Sequence, residues 1–283
     1  MKSFRTLLLL LALLLPGIAL VACDSSEPIP NKLTVHFIDV GQGDAILIEA
    51  DDAVILVDGG EASANVEDYL QAQGIQDIDL MVATHPHADH IGGLIDVLRL
   101  YDVHEIWTNG DTSDSQTYGN FALALAQEQA DGANLREVSR GHLTEFDGLD
   151  IAVLHPPSLT DDTNADSLVL RVTCGIVDIL LTGDATVDSE ATMLAEAGLL
   201  TDVEVLKVGH HGSHTSTSDE FLDEVTPEDA VISVGADNTY GHPHQETLDR
   251  LATHGLTTYR TDQHGTVILT SDCNTHSIGP AGS

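Results

Sequence analysis

The amino-acid sequence predicts an α/β fold built as a four-layer αββα sandwich, in which two β-rich halves face each other and carry helices on their outer sides. From Leu33 onward, short apolar segments of strand length alternate with segments whose apolar residues recur every three or four positions. No linker or low-complexity block interrupts this alternation, and an apolar share of 42% is ordinary for a chain that buries a core. We therefore expect one domain over residues 33–275 and a tail over residues 276–283.

The first half opens with an antiparallel group of strands. Strands are expected at residues 33–39 and 45–49 around Gly41-Gln42-Gly43, and a third strand at residues 53–57 follows the Asp51-Asp52 turn. Beyond this group, helices and buried strands alternate. The helices are expected at residues 64–73, 91–98 and 118–129, and the strands at residues 80–83 and 105–108.

The second half is expected to show the same kind of alternation between strands and helices. Cys174-Gly175 is expected to turn two strands into a hairpin, and Thr217 with Glu220 predicts a capping box for the helix at residues 219–225. The strands are expected at residues 149–154, 168–173, 177–181, 203–208, 230–234, 257–259 and 266–269, and the other helices at residues 188–197 and 245–254.

The chain is strongly acidic. It carries 46 acidic residues against 10 lysines and arginines, for a formal net charge of −36. Without residues 1–22, which hold Lys2 and Arg5, the remainder stands at −38. This excludes a basic surface that follows a phosphate backbone. It suggests a protein of a halophilic source, since salt near 1 M screens charges over roughly 3 Å.

The amino terminus predicts export and lipid attachment. Lys2 and Arg5 precede an apolar run at residues 7–15, which is too short to span a membrane, and Leu20-Val21-Ala22-Cys23 has the pattern of a lipobox. We expect a signal peptide at residues 1–22, a lipid on Cys23 and a tether at residues 23–32. The protein would then be anchored on the periplasmic or cell-surface face of a membrane. An uncleaved anchor and a plain secreted protein are the alternatives.

Two further cysteines, Cys174 and Cys273, form no pattern from which a disulfide framework can be read. They can pair or stay apart as small buried residues. We expect them to stay apart.

The strongest chemical signal is a loop between a buried strand and an amphipathic helix. Four ligand-type side chains lie within six residues of it: His85, His87, Asp89 and His90. Imidazole and carboxylate at this spacing suit zinc or manganese. A loop at a strand end can direct His85 and His87 to one ion and Asp89 and His90 to a neighbouring ion.

This segment resembles the His-x-His-x-Asp-His motif of the metallo-β-lactamase fold superfamily. Within that superfamily the chain is most similar to the hydrolase domain of ComEC-type competence proteins, which are membrane proteins that import DNA. The pieces that carry the resemblance are Phe37 to Ala45, His155-Pro156-Pro157, Asn164 to Leu170, Leu181-Thr182-Gly183-Asp184, His210-His211-Gly212-Ser213 and Tyr240-Gly241-His242-Pro243. The membrane-spanning part and the oligonucleotide-binding barrel of that family have no expected counterpart here, so we interpret the chain as a stand-alone hydrolase domain.

The resemblance implies the remaining metal ligands. Asp184 matches the carboxylate that bridges two divalent ions, and a histidine directly after the next strand completes the second site. His210 is our choice for that ligand, with His211 as the alternative. The third histidine of the first site should precede Asp184, where the chain instead reads Asn164-Ala165-Asp166-Ser167-Leu168. Water, Asp166 or His155 could complete that site.

Other side chains are candidates for supporting roles. Asp39, Asp44 and Asp58 lie at expected strand ends, where a carboxylate can hold a ligating imidazole through its far N–H. Solvated loop acids are the alternative interpretation. His242 could donate a proton to a leaving group or contact a phosphate, and His244 could do so with weaker support.

The resemblance implies a hydrolase that uses a metal-bound hydroxide, with Asp89, Asp184 and His242 as catalytic residues, and the amino-terminal pattern implies that it is exported. The expected activity is that of a phosphodiesterase or nuclease on DNA or nucleotides. One alternative is a dinuclear hydrolase of a lactam, lactone or thioester, because one fold hosts many chemistries. Another is a non-catalytic, lipid-anchored accessory protein of DNA uptake.

Overall fold

The computed structural model describes residue 30 and residues 32–282. The predicted signal peptide, Cys23 and most of the predicted tether lie outside the described residues. In the described part of the chain, no helix has both the length and the apolar character needed to cross a membrane.

The described chain forms two β-sheets with helices on their outer faces. The first half contains strands β1 (Leu33–Phe37), β2 (Ile46–Ala50), β3 (Ala53–Val57), β4 (Asp77–Ala83), β5 (Asp102–Thr108) and β6 (Asn134–Glu137), and helices α1 (Val66–Gln73), α2 (Ala88–Ile91), α3 (Leu94–Leu100) and α4 (Gln116–Asp131). The second half contains strands β7 (Leu143–Phe146), β8 (Leu149–His155), β9 (Val169–Cys174), β10 (Val177–Leu181), β11 (Val205–Lys207), β12 (Asp229–Ile232), β13 (Thr257–Arg260), β14 (Val267–Ser271) and β15 (His276–Pro280), and helices α5 (Val187–Leu194), α6 (Asp219–Val225), α7 (Gln245–Thr253) and α8 (Thr261–His264).

The first sheet has the order β15-β14-β1-β2-β3-β4-β5-β6, and the second has the order β13-β12-β11-β10-β9-β8-β7. Strands β1 to β3 are antiparallel, and β3, β4 and β5 are parallel. In the second sheet β8, β9 and β10 are antiparallel, whereas β10, β11 and β12 are parallel. The C-terminal hairpin of β14 and β15 crosses over to the first sheet, where β14 pairs with β1.

Three apolar clusters separate four layers, which confirms the predicted αββα sandwich. The central cluster joins the inner faces of the two sheets, for example through Phe37 and Val172. A second cluster packs α1, α3 and α4 on the first sheet, and a third packs α5, α6 and α7 on the second. Strand residues contribute alternately to the central and the outer clusters, because successive side chains point to opposite faces of a sheet.

Several expectations about individual elements were wrong. The expected helix at residues 91–98 is two helices, α2 and α3, which meet at Gly92-Gly93. The N-cap of α6 is Ser218, whose Oγ accepts from the backbone N–H of Phe221 at 3.2 Å. Thr217, the expected cap, has a left-handed φ of 58°, and its backbone N–H donates to Glu190. The expected tail at residues 276–283 contains β15.

Cys174 and Cys273 form a disulfide, with their Cα atoms 4.9 Å apart. We expected two separate residues, so this expectation was also wrong. The bond joins the end of β9 in the second sheet to the turn between β14 and β15 in the first. Cysteine count and spacing give no sign that these two turns meet, because their contact depends on the stacking of the sheets.

Candidate metal centre

The candidate centre lies where strands of both sheets end. Asp58 follows β3, Asp184 follows β10, and His210 and His211 follow β11. His85 and His87 lie in the loop after β4, and Asp89 and His90 lie in α2, which begins at the end of that loop. Because β3 and β4 are parallel, as are β10 and β11, each pair of carboxyl ends lies at one edge of its sheet. The stacked sheets bring the two edges together.

Asp184 lies between two groups of imidazoles. Its Oδ1 is 3.3 Å from His90 Nε2 and 3.3 Å from His211 Nε2. Its Oδ2 is 3.7 Å from His85 Nε2 and 3.7 Å from His210 Nε2. The two carboxylate oxygens therefore face different ligand sets, as a bridging carboxylate would.

The set around Oδ1 also includes Asp89, whose Oδ2 is 3.4 Å from His211 Nε2. We call the place shared by Asp89, His90, His211 and Asp184 the second position. Among the described residues, His90 Nε2, His211 Nε2 and Asp184 Oδ1 are buried without a hydrogen-bond partner. Buried polar atoms rarely lack partners, so their convergence fits a bound cation.

The set around Oδ2 is looser, and we call it the first position. His85 is buried, and its Nε2 lies 3.0 Å from Nδ1 of the exposed His87. His85 Nδ1 is 3.2 Å from Thr84 Oγ1 and 3.2 Å from Ser167 Oγ. Because these hydroxyls contact Nδ1, the other ring nitrogen of His85, Nε2, can face an ion.

A carboxylate and a backbone carbonyl oxygen hold the far nitrogens of the two imidazoles at the second position. Asp58 Oδ2 is 2.8 Å from His90 Nδ1, and Thr84 donates to Asp58 through its backbone N–H at 2.8 Å and its hydroxyl at 2.7 Å. His211 Nδ1 lies 3.0 Å from the Ser233 carbonyl oxygen and 3.4 Å from Asp44 Oδ1. Both imidazoles therefore direct Nε2 toward Asp184.

Two glycines allow this close assembly. A Cβ on Gly43, which has a φ of 127°, would lie 2.1 Å from the carbonyl oxygen of Asp89. A Cβ on Gly183, with a φ of 50°, would lie 3.2 Å from Thr84 Oγ1. Side chains at these places would push the ligand loops apart.

The centre has an excess of buried negative charge. Burial alone would lower the pKa of His211, yet Asp184, Asp44 and Asp89 raise it to about 10. Burial opposes ionisation of Asp184 as well, but His211, His90 and His85 hold its pKa well below the usual value. The carboxylates thus attract positive charge strongly, and a divalent cation can supply it in place of protons. The donors present fit two divalent ions.

A family model described as the metallo-beta-lactamase superfamily matches residues 38–236 of the chain. The chain belongs to the metallo-β-lactamase superfamily. Members of this superfamily are generally metal-dependent hydrolases, and their fold usually binds two divalent ions.

Competence proteins are among the curated relatives within the superfamily. ComE operon protein 3 of Bacillus subtilis (strain 168) is 33% identical over 255 residues, which cover 82% of this chain and 32% of that protein. Competence protein ComA of Neisseria gonorrhoeae is 32% identical over 244 residues, which cover 84% of this chain and 32% of that protein. The chain thus spans about a third of the length of these relatives.

Solved structures of the superfamily share the fold. The metallo-β-lactamase fold protein YhfI from Bacillus subtilis aligns with a TM-score of 0.56 and 13% identity, covering 85% of this chain and all of that one. At this identity the likeness concerns architecture alone.

The structure brings most of the candidate ligands together. His85, Asp89, His90, Asp184 and His211 meet as described above, and His210 faces Oδ2 of Asp184 from the rim. His211, our alternative, contacts Asp89 at the second position, so the geometry does not favour our first choice, His210. Of the expected supporting acids, Asp58 and Asp44 approach imidazoles. Asp39 is exposed, and its Oδ1 accepts from the backbone N–H of Gly41.

Two residues considered for the first position have other partners. The Asp166 carboxylate accepts from Thr160 N–H at 2.7 Å and from the Thr160 hydroxyl at 3.0 Å. His155 Nε2 lies 2.8 Å from the Ala165 carbonyl oxygen, and its Nδ1 lies 3.2 Å from Thr192 Oγ1. Neither side chain is available to an ion.

A cavity of about 310 Å³ opens over the centre, and its lining includes His87, Asn164, His210, Tyr240 and His242. The His242 ring is stacked on Tyr240 at a centroid distance of 5.7 Å. Burial, together with the neighbouring His210 and His211, lowers the pKa of His242 to about 4. His244 lies outside this lining, with its Nδ1 3.1 Å from His214 Nδ1.

No role was predicted from the sequence for Lys207, Thr84 or Ser167. Lys207 is fully buried, and its Nζ lies 2.8 Å from Asp44 Oδ2. Lysine is almost never fully buried without a partner. A lysine inside an otherwise apolar strand of a lysine-poor chain was therefore the signal that could have revealed this pair.

Proposed function

We propose that the protein is a metal-dependent phosphodiesterase or nuclease. The observation that carries the proposal is the convergence of buried, unpartnered ligand atoms on Asp184 in a chain of this superfamily. The relatives named as competence proteins support a nucleic-acid or nucleotide substrate, and we extend that substrate class to this chain.

Two divalent ions, zinc or manganese, would activate water as the nucleophile and polarise the phosphodiester. Asp184 holds both positions, since each of its oxygens faces one ligand set. Asp58 orients His90 through Nδ1, and the Ser233 carbonyl oxygen, with Asp44 beside it, orients His211. His242 lines the cavity above and is placed to contact a substrate phosphate.

The distribution of charge favours a short or single-stranded substrate. Four of the six arginines in the described chain lie within 4 Å of a carboxylate, namely Arg99, Arg136, Arg250 and Arg260. Arg140 donates to backbone carbonyl oxygens, and Lys207 is buried. Few cations remain for a phosphate backbone, so attraction to phosphate must come mainly from the metal centre.

We further propose that the protein is exported and lipid-anchored through Cys23. The amino-terminal pattern supports this location. The disulfide between Cys174 and Cys273 supports it independently, because disulfides persist mainly in oxidising compartments.

An activity panel tests the function. The purified protein would be incubated in molar salt, with manganese or zinc, on fluorescent single-stranded DNA, a nucleotide diester and a chromogenic β-lactam. We expect cleavage of the DNA or the diester and none of the lactam. Asp184→Asn should lower turnover far more than His242→Ala, whose loss should not exceed about 10²- to 10⁴-fold, the range of a group that assists proton transfer.

Cleavage of the lactam alone would assign the protein to a different hydrolase class. Absence of all cleavage with metal bound would favour a non-catalytic accessory protein. If Asp184→Asn kept near-native turnover while His242→Ala was inactive, the active centre would lie nearer the loop at residues 240–244 than at Asp184.

A further inference from the structure

We propose that the buried ion pair of Lys207 and Asp44 is a positioning device for the second metal position. It acts through His211 and not by contact with substrate. The inference builds on the metal-dependent function proposed above, but it concerns metal binding and can be tested without a substrate.

The pair is isolated from solvent. Lys207 is 0% exposed and Asp44 is 1% exposed, and Lys207 Nζ lies 2.8 Å from Asp44 Oδ2. The other carboxylate oxygen, Oδ1, is buried without a hydrogen-bond partner, and it lies 3.4 Å from His211 Nδ1. Asp44 therefore places one oxygen against the lysine and the other beside a candidate metal ligand.

The pair also links the segments that carry the ligands. The backbone N–H of Asp44 donates to the Asp89 carbonyl oxygen at 3.1 Å. Lys207 Nζ donates to the Val208 carbonyl oxygen at 2.9 Å, just before the turn that bears His211. One ion pair thus connects the ligand loop of the first sheet to the ligand turn of the second.

This arrangement decides which nitrogen of His211 faces an ion. His211 Nδ1 lies 3.0 Å from the Ser233 carbonyl oxygen and 3.4 Å from Asp44 Oδ1, so the imidazole presents Nε2 to Asp89 and Asp184, where an ion can take the place of a proton. A carboxylate behind a ligating imidazole fixes the ring orientation and raises the basicity of the ligand. The Asp44 carboxylate can do this only while it is held in place.

A lysine is the partner that this carboxylate needs. Asp58, Asp184 and Asp89 already gather negative charge around the centre, and the ammonium of Lys207 lies 2.8 Å from the Asp44 carboxylate. Without the lysine, Asp44 would be a buried carboxylate that has lost its ammonium partner, which is costly. The carboxylate would then move away from its present place, and His211 would lose its support.

Metal titration of the apo-protein tests the proposal. Calorimetry with manganese would compare the native protein with Lys207→Met, Asp44→Asn, the double variant and the conservative Lys207→Arg. Each of the first three should weaken the second-position ion by about 10- to 100-fold and leave the other ion within about twofold. Lys207→Arg should recover much of the lost affinity.

The double variant separates positioning from folding. The double variant has no unpaired side-chain charge, so its thermal midpoint should exceed that of Lys207→Met. The metal ion at its second position should nevertheless stay weakly bound. If metal affinity recovered together with stability, the pair would be merely structural, and the proposal would be overturned. It would also be overturned if Lys207→Met bound both ions as tightly as the native protein.

A spectroscopic readout excludes direct ligation by Asp44. At saturating cobalt, Asp44→Asn should keep the visible absorption spectrum of the native protein, because no ligand atom is lost. A changed spectrum would make Asp44 a ligand and would overturn the positioning role. None of these outcomes depends on cleavage of DNA or nucleotides, so failure of the proposed activity would be seen separately.

Discussion

His210 and His211 are neighbours in the chain but face opposite oxygens of Asp184. The backbone makes this possible, since their φ values are 48° and 54°, in the left-handed region that non-glycine residues rarely adopt. Strain of this kind is concentrated at functional sites. His211 contacts Asp89 and is buried, whereas His210 is partly exposed at the cavity.

We therefore expect His211→Asn to remove one of the two bound ions, and His210→Asn to retain both. The two substitutions are matched, because asparagine tolerates the left-handed backbone that both positions require. The measurement is the metal content of the reconstituted protein after dialysis, determined by elemental analysis. A double variant, His85→Ala with His87→Ala, serves as a reference for loss of the first position.

The reverse result, with the ion lost in His210→Asn alone, would restore our first choice of ligand. Unchanged metal content in every variant would contradict the whole assignment of the centre.

At this scale the sequence was informative where one short motif holds several ligands. The spacing from His85 to His90 was sufficient to predict a metal loop, and the resemblance supplied Asp184. The choice between His210 and His211 could not be read from sequence, because it depends on two backbone angles. Lys207 was missed because its partner, Asp44, is distant in the chain and meets it only through the stacking of two sheets.

At the scale of elements, apolar strands were predicted well and polar edge strands were not. The core strands β3 and β10 have the bounds we expected, since their residues alternate between two buried layers. The missed strands β6 and β7 have exposed and half-buried residues and lie at sheet edges. These two strands are defined only by their backbone hydrogen bonds to the neighbouring strands β5 and β8, and an apolar sequence pattern does not reveal such pairing.

The disulfide is the covalent link between elements of the two sheets. Its cysteines are 99 residues apart, and closing a loop of that size removes much conformational entropy from the unfolded chain. We expect the double variant Cys174→Ala with Cys273→Ala to have a free energy of unfolding lower by roughly 2–4 kcal/mol. Urea denaturation of the oxidised native protein and of the double variant measures this difference in the free energy of unfolding.

A reductant should destabilise the native protein by a similar amount and leave the double variant unaffected. Equal stability of the native protein with and without reductant would show that the bond contributes little.

At the scale of the whole molecule, the proposed attachment to a membrane can be tested directly. Lipid attachment needs the thiol of Cys23, so Cys23→Ser should move the full-length protein from the membrane fraction to the soluble fraction. Ser25→Ala, two residues further along the expected tether, is the matched control and should stay with the membrane. Fractionation followed by immunoblotting measures the distribution.

A Cys23→Ser protein that stays in the membrane fraction after a salt wash would instead indicate an uncleaved apolar anchor. Native protein found only in the medium would indicate a plain secreted protein.

Strand β10 runs between the two places where the sheets are joined. It begins three residues after Cys174 and ends three residues before Asp184. The ligands at its metal end come from distant parts of the chain, and they must find one another as the chain folds. With the disulfide closed at the other end of the same strand, His90 and Asp184 meet at a raised effective concentration, as two linked binding groups do. The covalent bond thus favours assembly of the metal centre without touching the metal.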